Sequence, residues 1–274
     1  MVTQKRAAEY YIDLYLSGAI YVWGMNAPTI ISGESISQVY RDFHSKKYDR
    51  TYYDEKLVEG RGKIGSDCSG AHHGLSGYDT NAQGYFDRSL KTGKIKALPL
   101  DKTVLLYNGV TTKSITHTGV YIPGFGVFHM KNSKENAVLE PLCDTNFKYY
   151  GEADFINYKS TDTKLSDNYK LWVALLQYEL NKAYNANLIV DGLFGEKTLE
   201  ATKKIGILKI GSKGTFVTMI QNFMNSCFKA QIKVDGDFGK ATDKDVKKFQ
   251  SDNGLTADGE IGPKTWKAIQ EKVR

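Results

Sequence analysis

Three residues of the sequence have the types needed for nucleophilic catalysis by a thiol. Cys68 lies in the segment Asp67-Cys68-Ser69-Gly70, and two well-separated histidines follow it, His117 and His129. A cysteine is a strong nucleophile as its thiolate, and a nearby imidazole supplies the base that removes the thiol proton. We therefore interpret this set as the candidate machinery of a cysteine hydrolase.

The residues that precede Cys68 are typical of a turn followed by the start of a helix. Gly65-Ser66-Asp67 offers turn and N-cap residues, which predicts that Cys68 lies in a first helical turn. Its sulfur would then lie at the positive end of the helix dipole, where a thiolate is favoured.

The two histidines lie in segments that predict a β-hairpin. Residues 116–122 alternate apolar and polar side chains, as strands do. Pro123-Gly124-Phe125-Gly126 predicts a turn, and residues 127–130 predict the returning strand. Such a hairpin would bring His117 beside His129, so that one is the base and the other orients it.

Four successive segments resemble the signatures of the NlpC-type, papain-like cell-wall peptidases. They are Tyr21-Val22-Trp23-Gly24, Asp67-Cys68-Ser69-Gly70, His117-Thr118-Gly119-Val120-Tyr121-Ile122 and the later His129. The resemblance spans roughly residues 1–155. It implies that Cys68 is the nucleophile, His117 the base and His129 the orienting residue, with no metal or cofactor. Asn132 is an alternative orienting residue.

The same resemblance assigns the groups around the reacting carbonyl. Tyr21 matches the tyrosine of the family's first motif, which helps to stabilise the oxyanion. Asp67 and Ser69, on either side of the nucleophile, are further candidates for oxyanion or substrate contacts. The chain departs from the family between Gly24 and Asp67, where an insertion is rich in charged and aromatic residues. We expect this insertion to form one wall of the substrate groove.

Other cysteines and histidines have simpler interpretations. Cys143 and Cys227 are predicted to be small buried hydrophobic residues. His72 and His73 could form a zinc site with Cys68, but adjacent helical residues point about 100° apart and share one ion poorly. No metal site is therefore predicted.

A polar segment separates the N-terminal region from a region that repeats itself. Residues 159–169 are nearly devoid of apolar side chains and predict a linker. An Asp-Gly segment then occurs three times, starting at Asp191, Asp235 and Asp258. A spacing of 44 residues also aligns Gln177 with Gln221, and internal duplication explains both observations.

The repeated segment predicts a turn between short helices. Its first glycine suits a positive φ, the apolar residue two places later fills a small core, and the next glycine leads into a helix. Pro263 suits a first helical position. The pattern resembles the three-helix peptidoglycan-binding module, completely over residues 208–269 and partly over residues 169–205. That resemblance implies a cell-wall partner.

Composition and charge agree with a globular two-domain protein. A length of 274 residues favours two domains, and 41% hydrophobic with 25% charged residues is ordinary for globular proteins. Residues 170–274 hold 17 Lys and Arg against 12 Asp and Glu, whereas residues 1–169 hold 20 against 19. The binding half is therefore the basic half, which suits anionic wall polymers.

Nucleic acid is the other anionic partner that a basic region could bind. Acidic residues are interleaved with the basic ones and no nucleic-acid-binding motif is present, so nucleic acid is not the predicted partner.

Two features of the sequence indicate where the protein is made: the lack of targeting segments and the small number of cysteines. The sequence has no run of eighteen apolar residues, and its N-terminus lacks the apolar core of a signal peptide. Three distant cysteines do not form a disulfide framework. We expect synthesis in a cytoplasm without membrane insertion, and action on the wall after release, as in the bacteriophage endolysins that the chain resembles.

These patterns together predict an α+β papain-like domain over residues 1–158, a linker over residues 159–169 and an all-α repeat domain over residues 170–274. In the first domain a helix bearing the cysteine would pack on an antiparallel sheet bearing the histidines. The expected function is peptidoglycan hydrolysis, and the resemblance implies cleavage of the γ-D-glutamyl-diamino acid bond. An N-acetylmuramoyl-L-alanine amidase and a non-catalytic wall-binding protein are the alternatives. The sequence leaves the oligomeric state open.

Overall fold

The computed structural model describes residues 1–43, 48–159, 169–228, 230 and 232–273, without the side chains of residues 43, 143 and 226–228. The chain folds into two compact units. The first comprises Met1–Pro123, Val127–Glu140 and Thr145–Thr163, and the second comprises Gly124–Gly126, Pro141–Asp144 and Lys164–Arg274. The main division falls within the predicted linker 159–169, of which residues 160–168 lie outside the described part.

The first unit combines helices with a six-stranded sheet, as the predicted α+β class requires. Its helices are α1 (Gln4–Leu16), α2 (Gly33–Phe43), α3 (Arg50–Gly60), α4 (His73–Ser76) and α5 (Ala82–Asp87). Its strands are β1 (Val2–Thr3), β2 (Ile20–Tyr21), β3 (Gly65–Ser66), β4 (Lys91–Lys94), β5 (Val104–Gly109), β6 (Ile115–Ile122), β7 (Gly126–Met130), β8 (Ala137–Glu140), β9 (Tyr149–Glu152) and β10 (Ile156–Asn157). The order in the large sheet is β4-β9-β5-β6-β7-β8. Short parallel pairs join β1 to β10 and β2 to β3.

The predicted histidine hairpin is confirmed. β6 ends at Ile122 and β7 begins at Gly126, so residues 123–125 form the turn. The two strands are neighbours in the large sheet, with His117 on β6 and His129 on β7. The sheet therefore fixes the two histidines on adjacent strands.

Helix α1 anchors the core of the first unit. Thr3 caps its N-terminus, because its side-chain oxygen accepts a hydrogen bond from the Arg6 N–H at 3.1 Å. Ala7, Tyr11 and Tyr15 lie on its buried face. The ring of Tyr11 lies 5.5 Å from that of Phe128 on β7, so this face contacts the sheet that bears the histidines.

The segment around Cys68 differs from the predicted helical turn. Cys68 lies in a turn that precedes a three-residue 3-10 helix, Gly70–His72, which is followed by the four-residue helix α4. A Cβ at Gly70 would lie 2.1 Å from the carbonyl oxygen of Met25, so only glycine allows this close backbone approach. The cysteine therefore lies on a tight turn at the start of short helical pieces.

From residue 169 onward the described part of the second unit is built from helices joined by turns, which matches the all-α prediction. Its α-helices are α6 (Tyr169–Tyr184), α7 (Glu196–Thr202), α8 (Thr215–Phe228), α9 (Lys240–Asp252) and α10 (Pro263–Val273). Val217, Ile220, Phe223 and Met224 form a buried apolar stripe on α8, and the side chain of Cys227, predicted to be buried, lies outside the described residues. Helix α10 begins at Pro263, as predicted.

The three Asp-Gly turns have the predicted backbone and core. Gly192, Gly236 and Gly259 have φ values between 72° and 78°. The apolar residues two places later are buried, and they are Phe194, Phe238 and Ile261. Each turn thus inserts one apolar side chain into the core of the unit.

A buried glutamine holds each of these turns. The side-chain oxygen of Gln221 accepts a hydrogen bond from the Gly236 N–H at 2.8 Å, and its amide donates to Asp235 Oδ1 at 3.0 Å. The same amide lies 3.3 Å from the hydroxyl of Thr242 on the next helix. The equivalent contacts recur for Gln177 with Gly192, Asp191 and Thr198, and for Gln250 with Gly259, Asp258 and Thr265.

Replacing this glutamine tests the physical basis of the repeat. We expect Gln221→Met to lower the free energy of unfolding by about 2 to 4 kcal/mol, because two or three buried polar groups lose their partners while volume is kept. Chemical denaturation followed by circular dichroism measures the change. Lys244→Met, which places the same side chain at an exposed site on α9, is the control and should change stability by less than about 0.5 kcal/mol. Equal effects of the two substitutions would contradict this role of Gln221.

Candidate active site

An open cavity of about 890 Å³ in the first unit contains the candidate nucleophile and base. Cys68 and His117 both line it, together with Tyr21, Asp67 and Ser69. Cys68 is partly exposed to this cavity. The structure therefore brings five of the six sequence-predicted site residues to one open cavity, whereas His129 is buried and is not part of its lining.

Two backbone arrangements position the cysteine. Strands β2 and β3 pair with Tyr21 opposite Ser66, which places Tyr21 beside the turn that holds Cys68. On the other side, the backbone of Thr118 on β6 donates a hydrogen bond to the Cys68 sulfur. Since Thr118 directly follows His117, this contact places the thiol against the strand that bears the candidate base.

The charge state of the thiol differs from the predicted stabilised thiolate. Burial and, to a smaller extent, the negative charge of Asp67 raise the pKa of Cys68 to about 12, because together they outweigh the backbone hydrogen bonds that lower it. Burial also lowers the pKa of His117 to about 3, and the neighbouring His129 acts in the same direction. At neutral pH the free protein therefore holds a neutral thiol and a neutral imidazole in the lining of the same cavity.

The two histidines form a direct hydrogen bond. His117 Nε2 lies 2.8 Å from His129 Nδ1, so Nδ1 is the nitrogen of His117 that remains for the thiol. Phe147 stacks on the His117 ring at 5.6 Å and meets the His129 ring edge to face at 5.3 Å. A Cβ at Gly119 would lie 2.9 Å from both His129 and Phe147, so this glycine makes room for the arrangement.

Asn132, the alternative orienting residue, makes other contacts. Its side-chain oxygen accepts hydrogen bonds from the backbone N–H groups of Lys134 and Glu135. Its amide donates to Glu135 Oε2 at 2.8 Å. Asn132 thus shapes the loop between β7 and β8, and His129 is the residue in contact with His117.

Sequence reasoning missed one residue of the site, Glu140. Its Oε1 lies 2.9 Å from His129 Nε2, and its Oε2 accepts a hydrogen bond from Lys131 Nζ at 3.0 Å. Glu140 ends β8, whose pairing with β7 places Val127 opposite Glu140 and Val138 opposite His129. In the sequence, Glu140 is a single carboxylate after the short apolar run 137–139. This pattern does not reveal how β8 pairs with β7.

Tyr21 retains its proton. Burial raises the pKa of the Tyr21 phenol above its usual value, and the negative charges of Cys68 and Asp67, when ionised, act in the same direction. The neutral phenol is a hydrogen-bond donor in the lining of the cavity. It can therefore donate to an oxyanion that forms on a carbonyl attacked by Cys68.

Asp67 and Ser69, the predicted oxyanion or substrate contacts, both line the cavity and are hydrogen-bonded to each other. Asp67 Oδ1 accepts hydrogen bonds from the Ser69 N–H, the Ser69 hydroxyl and the Gly70 N–H, at 3.0, 3.0 and 2.7 Å. Its Oδ2 accepts from the Gly24 N–H at 2.9 Å. The carboxylate thus caps the cysteine turn and uses the Ser69 donors, and a carboxylate has no donor to offer an oxyanion.

Part of the predicted insertion reaches the cavity. Tyr48 lines it, and its ring stacks on that of Tyr52 at 4.0 Å. The Tyr52 hydroxyl accepts a hydrogen bond from the backbone N–H of Trp23, which also lines the cavity. The insertion is therefore connected to the Tyr21-Val22-Trp23-Gly24 segment, while its residues 44–47 lie outside the described part.

His72 is a buried structural histidine. Its Nδ1 lies 2.8 Å from the Tyr11 hydroxyl and its Nε2 lies 3.0 Å from the Thr118 hydroxyl. Within the described ranges, no group of three or more His, Cys, Asp or Glu side chains is arranged to hold a metal ion. Over the same residues, no helix combines the length and apolar character needed to cross a bilayer.

Comparison with known proteins identifies the C-terminal module. Residues 213–269 match the family model of a peptidoglycan binding domain. The match includes the turns at Gly236 and Gly259, and the first copy of the repeat lies outside it. Searches of curated proteins and of solved structures give no significant match. The chain therefore carries a peptidoglycan-binding module, which associates it with the cell wall.

Proposed function

We propose that the chain is a two-part peptidoglycan hydrolase, in which the first unit cleaves the stem peptide and the C-terminal module binds the wall. The observation that supports this most strongly is the cavity that holds Cys68 and His117, with His117 hydrogen-bonded to His129. The peptidoglycan-binding module supports the choice of substrate. The resemblance to NlpC-type peptidases implies the same reaction.

The geometry supports a general-base mechanism. Cys68 Sγ attacks the scissile carbonyl carbon while its proton passes to Nδ1 of His117, because both groups are neutral before attack. The oxyanion accepts a hydrogen bond from the Tyr21 hydroxyl. When the carbon–nitrogen bond breaks, His117 returns the proton to the leaving amine. Water then hydrolyses the thioester, with His117 again as the base and His129 fixing its ring.

The resemblance also suggests the bond that is cut. In NlpC-type enzymes this is the bond between γ-D-glutamate and a diamino acid, and we propose the same bond here. As in the endolysins that it resembles, the enzyme would act on the wall after release from the cell that produces it. An amidase that cuts before L-alanine would use the same three residues.

Digestion of purified cell walls of known chemistry tests the proposal. The released fragments are analysed by mass spectrometry and their new amino groups are labelled. We expect new amino termini on the diamino acid and no free L-alanine amino terminus. New L-alanine termini on lactyl-free peptides would instead show an amidase, and undigested walls that still bind the protein would contradict hydrolysis.

The phenol of Tyr21 should contribute to the rate. We expect Tyr21→Phe to lower kcat by about 10²-fold with little change in KM, because it removes one hydrogen bond to the oxyanion. Initial rates of fragment release measure this. Tyr121→Phe is the matched control, since Tyr121 also lies in the first unit and its hydroxyl donates to Leu100 outside the cavity. Equal rates for wild type and Tyr21→Phe would exclude this role for the phenol.

A further inference from the structure

A chain of hydrogen bonds leads from the base to a carboxylate that the proposed mechanism does not use. His117 Nε2 contacts His129 Nδ1 at 2.8 Å, and His129 Nε2 contacts Glu140 Oε1 at 2.9 Å. In the β7–β8 pair, Glu140 is the diagonal neighbour of His129 on the same face of the sheet. Glu140 is therefore held by strand pairing at the far end of the two imidazoles.

Glu140 is ionised in this position. Burial alone would raise its pKa, but the hydrogen bonds from His129 and Lys131 outweigh burial and hold the pKa of Glu140 below its usual range. Lys131 Nζ lies 3.0 Å from Glu140 Oε2 and 3.1 Å from Glu135 Oε1. An ionised carboxylate has acceptors and no donor, so the contact with His129 has one direction.

That direction determines where the protons lie on both rings. Because Glu140 can only accept, His129 Nε2 carries a proton, and a neutral His129 then has a bare Nδ1. The bare Nδ1 accepts from His117 Nε2, so His117 carries its proton there and has a bare Nδ1 of its own. This is the nitrogen that must take the thiol proton.

We propose that Glu140 is a positioning residue that sets the tautomers of His129 and His117, so that His117 presents a bare Nδ1 to the Cys68 thiol. This inference rests on the proposed function for the roles of Cys68 and His117. When His117 takes the thiol proton, the positive charge is shared with His129 through their hydrogen bond. The negative charge of Glu140 then stabilises this imidazolium pair, and no proton needs to reach the carboxylate.

The opposite tautomer would block the base. An amide at residue 140 can donate or accept, so His129 could carry its proton on Nδ1 and donate it to His117 Nε2. His117 would then hold its own proton on Nδ1, the nitrogen that must take the thiol proton, and could not accept another. Glu140→Gln therefore allows a mixture of productive and unproductive tautomers.

Three separate measurements test the proposal: the tautomers of the histidines, the reactivity of the thiol and the rate of wall digestion. Nitrogen-15 spectra of the imidazoles in wild type should show protonated Nε2 and bare Nδ1 in both His117 and His129. In Glu140→Gln we expect a second tautomer to appear. The rate at which iodoacetamide alkylates Cys68 and the kcat of wall digestion should both fall by about 10- to 100-fold, with KM unchanged.

Glu135→Gln is the matched control. It removes the same charge and also loses a contact with Lys131, but Glu135 contacts Asn132 and Lys131 rather than a histidine. We expect wild-type tautomers and rates. Glu140→Asp keeps the carboxylate and should retain the wild-type tautomers, which gives a second test if Glu140→Gln does not fold.

Three results would overturn the proposal: the opposite tautomers in wild type, unchanged tautomers in Glu140→Gln, or equal rate losses in Glu140→Gln and Glu135→Gln. The spectra and the alkylation rate need no cell wall. If wild type digests no walls but its tautomers and thiol reactivity depend on Glu140, the proposed function is wrong and the positioning role stands.

Discussion

Replacing Cys68 by alanine should abolish release of wall fragments, with a fall in rate on the order of 10⁴-fold or more, because the variant has no nucleophile to form the thioester. Binding should persist. The peptidoglycan-binding module over residues 213–269 does not depend on the thiol, so the variant should sediment with purified walls as the wild type does. Fragment release and co-sedimentation, measured on the same wall preparation, separate catalysis from binding.

The other two cysteines provide the control for this experiment. A Cys143→Ala, Cys227→Ala double variant should keep wild-type fragment release, and its single remaining thiol should be the one that iodoacetamide modifies. Lysis that survives in Cys68→Ala would remove Cys68 from the mechanism. Loss of sedimentation in Cys68→Ala would show that the substitution damages the protein as a whole, and the serine variant would then be compared.

Local sequence patterns predicted the elements that hold the site. The histidine hairpin followed from alternation and from turn residues at 123–126, both of which are short-range signals. The Asp-Gly turns followed from repetition, and the positive φ of Gly192, Gly236 and Gly259 agrees with them. In each case the residues that specify the turn are close together in the sequence, which is the range that sequence patterns describe well.

The properties of the site that depend on distant parts of the chain were not predictable. The thiol was expected to be stabilised as its anion, but burial and Asp67 raise its pKa. Glu140 was missed because the register of β7 and β8 depends on the intervening loop, in which Asn136 has a φ of 59°. The partners of His72 are 61 and 46 positions away in the sequence, on α1 and β6. Such pairings are set by the tertiary fold.

The buried His72 should make the first unit sensitive to acid. Burial lowers the pKa of His72 to about 3, with a smaller contribution from His117 in the same direction. The unfolded chain, in which histidine has a pKa near 6.5, therefore binds a proton that the folded chain rejects. The stability of the folded state is complete above about pH 6.5 and is lost as the pH falls toward 3. At pH 4 the loss from this one group is about 3 kcal/mol.

Replacing His72 by glutamine should remove the proton that this residue takes up when the chain unfolds. Glutamine does not titrate, so the slope of unfolding free energy against pH between about pH 4 and 6 should decrease by roughly 1.4 kcal/mol per pH unit. At pH 7 the variant should be less stable than wild type, since it loses ring contacts with Tyr11 and Tyr85. Urea denaturation at a series of pH values measures both effects.

The adjacent histidine, His73, is the control that tests whether burial causes the pH dependence of the unfolding free energy. His73 follows His72 on the same turn but is partly exposed, so His73→Gln should leave the pH slope of wild type unchanged. A wild-type slope in His72→Gln would mean that the folded protein accommodates the imidazolium, through water or a rotated Tyr11 hydroxyl. In that case the hydrogen bonds to Tyr11 and Thr118 would not keep the His72 ring neutral. Contacts other than these hydrogen bonds would then have to hold α1 and β6 against the segment that contains Cys68 and His72.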